Sequence, residues 1–251
     1  MPQYRTDGIV LKYTDYSETS RIVTFLTPDW GKLRGLVKGA KRPKSRFGSS
    51  LEPITHVEVL FYAKEGRSLH NISQTGIIEG FDAIKRDFDR LAYGGYIVEL
   101  CERFAQEGEE SSELFLLALE GLRTLCDWTG DLVLLATGFA LRFLALVGFA
   151  PSLEVCARCG GSPSARGSVC FSADEGGILC EDCREPGAAE VGRYHLRLMR
   201  NLSRIPLKRM EKARAKKEVL GETFDLVNTY VSRRGDMHLK SPAFLKSTGA
   251  S

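Results

Sequence analysis

RIVTFLTPDWGKLRGLV, residues 21–37, reads as two strands and the turn between them. Apolar β-formers recur in Arg21–Thr27 and Lys32–Val37, and Pro28-Asp29-Trp30-Gly31 has the composition of a hairpin turn. The pattern extends upstream into Tyr4–Tyr13 and downstream into His56–Tyr62 and Leu69–Ile78. Five short strands within residues 1–80 match a small closed barrel of the OB type. An SH3-like barrel has the same strand count and is the structural alternative.

The second strand of the hairpin also begins a basic track. GKLRGLVKGAKRPKSRFG, residues 31–48, holds seven basic residues (Lys32, Arg34, Lys38, Lys41, Arg42, Lys44, Arg46) and no acidic one. Strand alternation puts Lys32, Arg34 and Leu36 on one face and Leu33, Gly35 and Val37 on the other. A charged groove with aromatic platforms is how small barrels hold single strands, and Trp30, Phe47, Phe61 and Tyr62 are candidate stackers. A solvated face over core aromatics is the plainer alternative. The density of cations favours nucleic acid, with Arg21 as a further phosphate contact.

After Gly80 the period becomes helical. Asp82 is placed to cap a helix reaching about Gln106, and Ser111 or Ser112 to cap the next. A third helix is expected from Asp131 to Val147, stopped by Gly148 and Pro151. Two more are expected from about Val191 to Leu202, ending at Pro206, and from about Lys208 to Ser232. The domain expectation is a barrel at 1–80, a helical domain in two parts at 81–150 and 191–251, and an insert at 151–190. The fold class is therefore α+β.

The insert contains Cys156-x-x-Cys159 and Cys180-x-x-Cys183. Two residues between cysteines let both thiolates reach one ion from a tight turn, and two such turns complete a tetrahedral four-sulfur site. One structural Zn²⁺ per chain is the expectation, holding a ribbon whose few large apolar residues (Val169, Phe171, Ile178, Leu179) would not fold it alone. A redox dithiol usually comes as a single CxxC beside a βαβ unit, a pattern this sequence lacks. Of the seven cysteines, Cys101 and Cys126 lie in apolar helical patterns and Cys170 lacks a CxxC partner, so these three read as structural thiols. His56-Val57-Glu58 superficially matches the H-x-E of zinc deaminases, but it sits on an expected strand and the four zinc positions already have cysteines. No P-loop, G-x-S-x-G or H-E-x-x-H occurs, so nothing here supports an enzyme.

The net charge of +3 conceals a division. Residues 1–80 carry +4, 81–150 carry −6, 151–190 carry −4 and 191–251 carry +9. Two basic ends suggest a polyanion met by both. In RYHLRLMRNLSRIPLKRMEKARAKK, residues 193–217, Arg193, Arg197, Arg200 and Arg204 recur at helical spacing as a ridge, and Lys208 and Arg209 extend it. No apolar run has the roughly 18 residues of a membrane span. MPQYRTDGIVLK has no signal-type apolar core, and clustered CxxC pairs fit a reducing cytosol.

Together these segments resemble the RecO family of bacterial DNA repair and recombination mediators. The resemblance rests on GIVLKYTDYSETSRIVTFLTPDWGKLRGLVKGAKRPKS (8–45), on LRFLALVGFAPSLEVCARCG (141–160) leading into the first cysteine pair, and more weakly on LKSPAFL (239–245). It implies an OB-fold joined to a helical domain with a zinc-binding insert. It further implies a cytoplasmic, nucleoid-associated protein that binds single- and double-stranded DNA and anneals complementary strands. RecR, RecA and single-stranded DNA-binding protein are the implied partners in homologous recombination and gap repair. A zinc-stapled protein-interaction scaffold with incidental DNA contact is the competing expectation.

Overall fold

Strand β1 (Gln3–Asp15) is long enough to serve two partners. Its first half pairs antiparallel with β4 (His56–Tyr62) and its second half with β2 (Arg21–Thr27), with a bulge between Val10 and Lys12. A bulge increases local twist and bends the strand, which is what wrapping around a small barrel requires. β2 continues through the turn into β3 (Gly31–Val37), and β5 (Leu69–Glu79) lies antiparallel to β4 and parallel to β3. The closed order β1-β2-β3-β5-β4 is that of an OB-type barrel and decides between the two barrels that strand count had left open. The computed structural model describes residues 2–63, 66, 68–163, 169–236, 238–242 and 245. The chain divides into two compact units, residues 1–126 and 127–251.

In the first unit, Val10, Val23, Phe25, Leu33, Val57 and Phe61 fill the barrel together with Phe47 and Leu51 from the β3–β4 connection. Burial along β3 alternates as the sequence requires: Leu33, Gly35 and Val37 are buried, whereas Lys32, Arg34 and Leu36 are half-buried on the outer face. The helix expected from Asp82 to Gln106 is interrupted. Phe81 takes a left-handed conformation at φ 51°, a four-residue turn α1 (Asp82–Lys85) follows, and α2 (Phe88–Phe104) starts afresh. Asp87 provides the new start, its carboxylate accepting from Arg90 N at 2.9 Å. Helix α2 packs on β1 and β2, and α3 (Ser112–Asp127) completes the unit.

The α2–α3 connection is stitched to the β2–β3 turn. Lys32 N donates to Gln106 O at 2.8 Å, Gly108 N to Trp30 O at 3.1 Å and Ser111 N to Pro28 O at 2.8 Å. Gly31 has φ +57°, and a Cβ there would run into the carbonyl oxygens of Gln106 and Glu109. The turn therefore needs glycine both for its conformation and for this close approach.

The second unit is organised by α4 (Leu132–Leu146), whose apolar residues are buried on nearly every side. Asp131 caps it, accepting from Val133 N at 2.8 Å; Gly148 at φ +81° ends it, with Phe149 N donating to Leu144 O at 2.7 Å. Helices α5 (Arg193–Arg204) and α6 (Lys217–Arg234) pack on α4. The single final helix expected from Lys208 is not formed. Leu207–Lys212 is a 3₁₀ turn, extended backbone follows at Ala213 and Lys216, and α6 begins only at Lys217. Burial of Leu207 and Met210 against α4 fixes the tight turn, and the dense run of cations from Lys208 to Lys217 disfavours a continuous helix across it. Between α4 and α5 lies a three-stranded sheet ordered β7-β6-β8, formed by Val169–Ser172 (β6), Gly177–Leu179 (β7) and Ala189–Val191 (β8). Among the described residues no helix is long and apolar enough to cross a membrane.

Candidate metal centre and nucleic-acid interface

Two turns, one preceding β6 and one following β7, bring Cys156, Cys159, Cys180 and Cys183 together, with all four Sγ atoms within 4.8 Å of one another. The first turn is closed by Gly160 N donating to Cys156 O at 2.9 Å and Cys156 N donating to Gly161 O at 2.8 Å. Gly160 takes φ +70°, which a CxxC turn doubling back on its own metal needs. Ala157 N donates to Ile178 O at 2.8 Å and fixes this turn to β7, while Cys183 N donates to Cys180 O at 3.1 Å in the second.

The geometry fits a metal ion. Four sulfurs at about 2.3 Å from a tetrahedral Zn²⁺ lie about 3.8 Å from one another. The Cys159–Cys180 separation is 3.8 Å, and all four thiols are unbridged. Electrostatics point the same way. Burial opposes ionisation of Cys156, but backbone N–H groups of Cys159, Cys180 and Arg158 bring its thiol down to about 6. Cys183 is pushed up to about 12 by its hydrogen bond with Cys180 and by burial, and Cys180 is also raised. One thiolate is thus accommodated and its neighbours resist ionising beside it; a divalent cation at the centre removes that repulsion.

Arg158 joins the first turn to the second. The Arg158 guanidinium pairs with Glu175 at 2.8 Å and with Glu185, and donates to Cys183 O at 3.1 Å. Cys170 is buried on β6 outside the cluster, and Cys101 is buried in α2 with its thiol pushed up to about 12 by desolvation. His56 belongs to a different constellation, its Nε2 and Nδ1 each 3.3 Å from Asp7 Oδ2 and Glu79 Oε1.

The cations named from sequence fall into two groups. In the first unit, Arg21 and Lys41 both pair with Asp15, at 3.1 and 2.9 Å. Lys32 Nζ donates to Glu102 O at 2.9 Å in the last turn of α2, and Arg34 lies 3.7 Å from Glu107. Lys38, Arg42, Lys44 and Arg46 are exposed on the loop after β3, without an ion-pair partner among the described residues. That loop is anchored at its start by Lys41 N donating to Thr19 O at 3.1 Å and at its end by buried Phe47. In the second unit, Arg200 and Arg204 converge on Glu154, at 3.2 and 2.6 Å, and Arg200 also donates to Leu153 O at 2.9 Å. Arg193, Arg197, Lys208 and Arg209 are exposed and unpaired among the described residues.

Of the candidate stackers, Phe47 and Phe61 belong to the barrel core, while Trp30 is half-buried and Tyr62 is exposed. Sequence reasoning passed over Tyr4 and His70. Tyr4 packs against Trp30 at 4.9 Å, and His70 lies 6.2 Å from Trp30 and 5.4 Å from Phe61. Their positions in β1 and β5, the two strands that close the barrel on β4, are the only sequence-level signal.

Residues 1–81 match the family description "Recombination protein O N terminal", and residues 85–243 match "Recombination protein O C terminal". The chain belongs to the RecO family. It is 34% identical over 253 residues to a DNA repair protein RecO of Desulforudis audaxviator, covering 100% of this chain and 99% of that protein. It is 32% identical over 248 residues to that of Moorella thermoacetica (98% and 91% covered). It is 39% identical over 206 residues to that of Frankia casuarinae (81% and 83%). The first RecO match coincides with the barrel, and the second runs from α1 through α6 across the cysteine cluster. In the weakly matching LKSPAFL stretch, Ala243 and Phe244 lie outside the described residues.

Proposed function

We propose that this RecO-family chain is a non-enzymatic recombination mediator. It binds single- and double-stranded DNA through phosphates, anneals complementary strands, and acts with RecR to load RecA onto strands coated by single-stranded DNA-binding protein. It works in the cytoplasm in association with the nucleoid. The observation that carries the DNA-binding part is the loop after β3, where Lys38, Arg42, Lys44 and Arg46 stand exposed without an ion-pair partner among the described residues. Cations of this kind exchange condensed counterions for protein contacts and give affinity with little base preference. Arg193, Arg197, Lys208 and Arg209 supply further phosphate contacts. Arg21, Lys32, Arg34, Lys41, Arg200 and Arg204 contribute less, because each already has an intramolecular partner. Neutralising two strands on positive surfaces lowers their mutual repulsion, a basis for annealing that needs no nucleotide hydrolysis.

The four cysteines hold one zinc ion in a closed site. A zinc with four thiolate ligands keeps no open position for a substrate, so its role is structural: it fixes the module joining α4 to α5. Annealing of two complementary oligonucleotides, one fluorescent and one quenching, tests the proposal. The protein is expected to accelerate annealing at low salt, and Arg42→Glu with Lys44→Glu to remove most of the acceleration. Equal annealing by the folded double variant rejects the assignment.

A further inference from the structure

Between the 3₁₀ turn and α6 the chain forms a short extended strap. Ala213 (φ −69°, ψ 140°) and Lys216 (φ −66°, ψ 144°) have polyproline-II backbone, and residues 213–216 belong to no helix or strand. Burial of Leu207 and Met210 before the strap and of Leu220 after it fixes both ends. Lys212, Arg214, Lys216 and Lys217 are exposed along it without an ion-pair partner among the described residues, and Ala215 is exposed between them. We propose that this strap enters the minor groove of double-stranded DNA, with Arg214 on the base edges and the three lysines on the flanking phosphates. The proposal rests on the DNA-binding reading above and adds the groove, the residue that reads it and a base-pair preference.

Three features select the minor groove over a plain phosphate contact. The first is width. The minor groove of B-form DNA is about 6 Å wide, too narrow for a helix of about 10 Å but open to a single extended chain. A continuous helix from Lys208 into α6 would hold these cations on a cylinder outside the groove. The second is side-chain size. Arg214 stands between Ala213 and Ala215, so its neighbours in the chain add no bulk between the groove walls. The third is charge. Narrow grooves, as A·T runs form, concentrate negative potential and draw in arginine. At about 3.1 Å per residue the strap covers about 12 Å, the length of about three to four base pairs. Glu211 and Glu218 bracket it, and no acidic residue lies between them. The guanidinium can donate to adenine N3 and thymine O2, whereas the 2-amino group of guanine is itself a donor and blocks the approach.

Three duplexes of equal length and charge test this, with centres of A·T, G·C and inosine·cytosine pairs. Inosine lacks only the 2-amino group of guanine, so its pair resembles A·T in the minor groove and keeps the G·C pattern in the major groove. Affinities of the full chain are read by fluorescence anisotropy at one fixed salt concentration. The A·T and inosine·cytosine duplexes are expected to bind about fivefold tighter than the G·C duplex, the low end of what one side chain discriminates. Arg214→Ala should bring both down to the G·C level. Ala215→Leu, at an exposed position and with every charge kept, should remove the same preference through bulk alone. Equal affinities for the three duplexes, or a preference that survives Arg214→Ala, overturn groove entry and leave phosphate binding standing. Binding of single strands but of no duplex overturns it equally. A protein that binds neither duplexes nor single strands overturns the DNA-binding reading itself.

Discussion

Lys41 Nζ lies 2.9 Å from Asp15 Oδ2, and Arg21 Nε donates to the other oxygen of the same carboxylate at 3.1 Å. Hydrogen bonds from Lys41 and then Arg21 hold the Asp15 pKa below its ordinary value. One acidic side chain therefore occupies two of the cations that sequence alone assigns to phosphate. Asp15→Asn should loosen both, although Arg21 keeps its place over the Tyr13 ring and Lys41 its bond to Ser17 O. We expect single-stranded DNA affinity to rise about two- to fivefold at low salt, with a steeper salt dependence. Unchanged or weaker binding would show that these two cations stay off the DNA.

The cysteine cluster makes a stoichiometric prediction. Elemental analysis of protein purified without chelator should give one zinc per chain, and Cys156→Ser should abolish it. Structural zinc contributes roughly 10–16 kcal/mol of apparent binding free energy in small domains. Removing it should therefore speed amide exchange in β6, β7 and β8 while the barrel strands keep their protection. A folded, fully protected β6–β7 hairpin without metal would refute the structural role.

Acid should weaken the first unit through Glu79. Hydrogen bonding from Arg123, and to a lesser degree from His56, lowers the Glu79 pKa below its ordinary value against the opposing effect of burial. A depressed carboxylate contributes stability above its unfolded value, and that contribution disappears as pH falls through the folded value. Urea midpoints should hold steady from neutral pH to about 4.5 and then decline. In Arg123→Ala the midpoint at neutral pH should be lower and the acid-induced decline smaller. A steeper decline in that variant would reverse the assigned sign.

Packing inside the barrel makes a separate prediction. A Cβ at Gly35 would overlap Ile72 Cγ1 and Cδ1, well inside van der Waals contact, so the Ile72 side chain would have to move. Gly35→Ala should destabilise by about 1–3 kcal/mol, the usual range for overpacking. Adding Ile72→Val should recover part of the loss. Chemical denaturation of the two single variants and the double variant measures the coupling, and strict additivity would contradict the contact.

How much was legible in the sequence follows from range. The strands were legible because alternation is local: Arg21–Thr27 and His56–Tyr62 coincide with β2 and β4. The cysteine cluster was legible because its chemistry fixes its spacing. The helix break at Arg86 and Asp87 was hidden, since it depends on Asp87 taking extended backbone to cap a new helix, which composition does not advertise. The pairing of cations was hidden for a different reason. Lys32 meets a carbonyl 70 residues away and Arg204 a carboxylate 50 residues away, and only the folded chain sets such partners. Phe47 shows the same limit, being core despite lying outside any strand.

The slope of log affinity against log salt for single-stranded DNA separates the free cations from the paired ones. Each phosphate contact contributes about 0.7 to that slope for single strands. Replacing both Arg42 and Lys44 by alanine should lower the slope by about 1.4, whereas replacing Arg200 and Arg204, already held by Glu154, should change it far less. A slope unaffected by the loop pair, or one lost mainly with the Glu154-bound pair, would contradict the assignment of DNA affinity to the loop after β3.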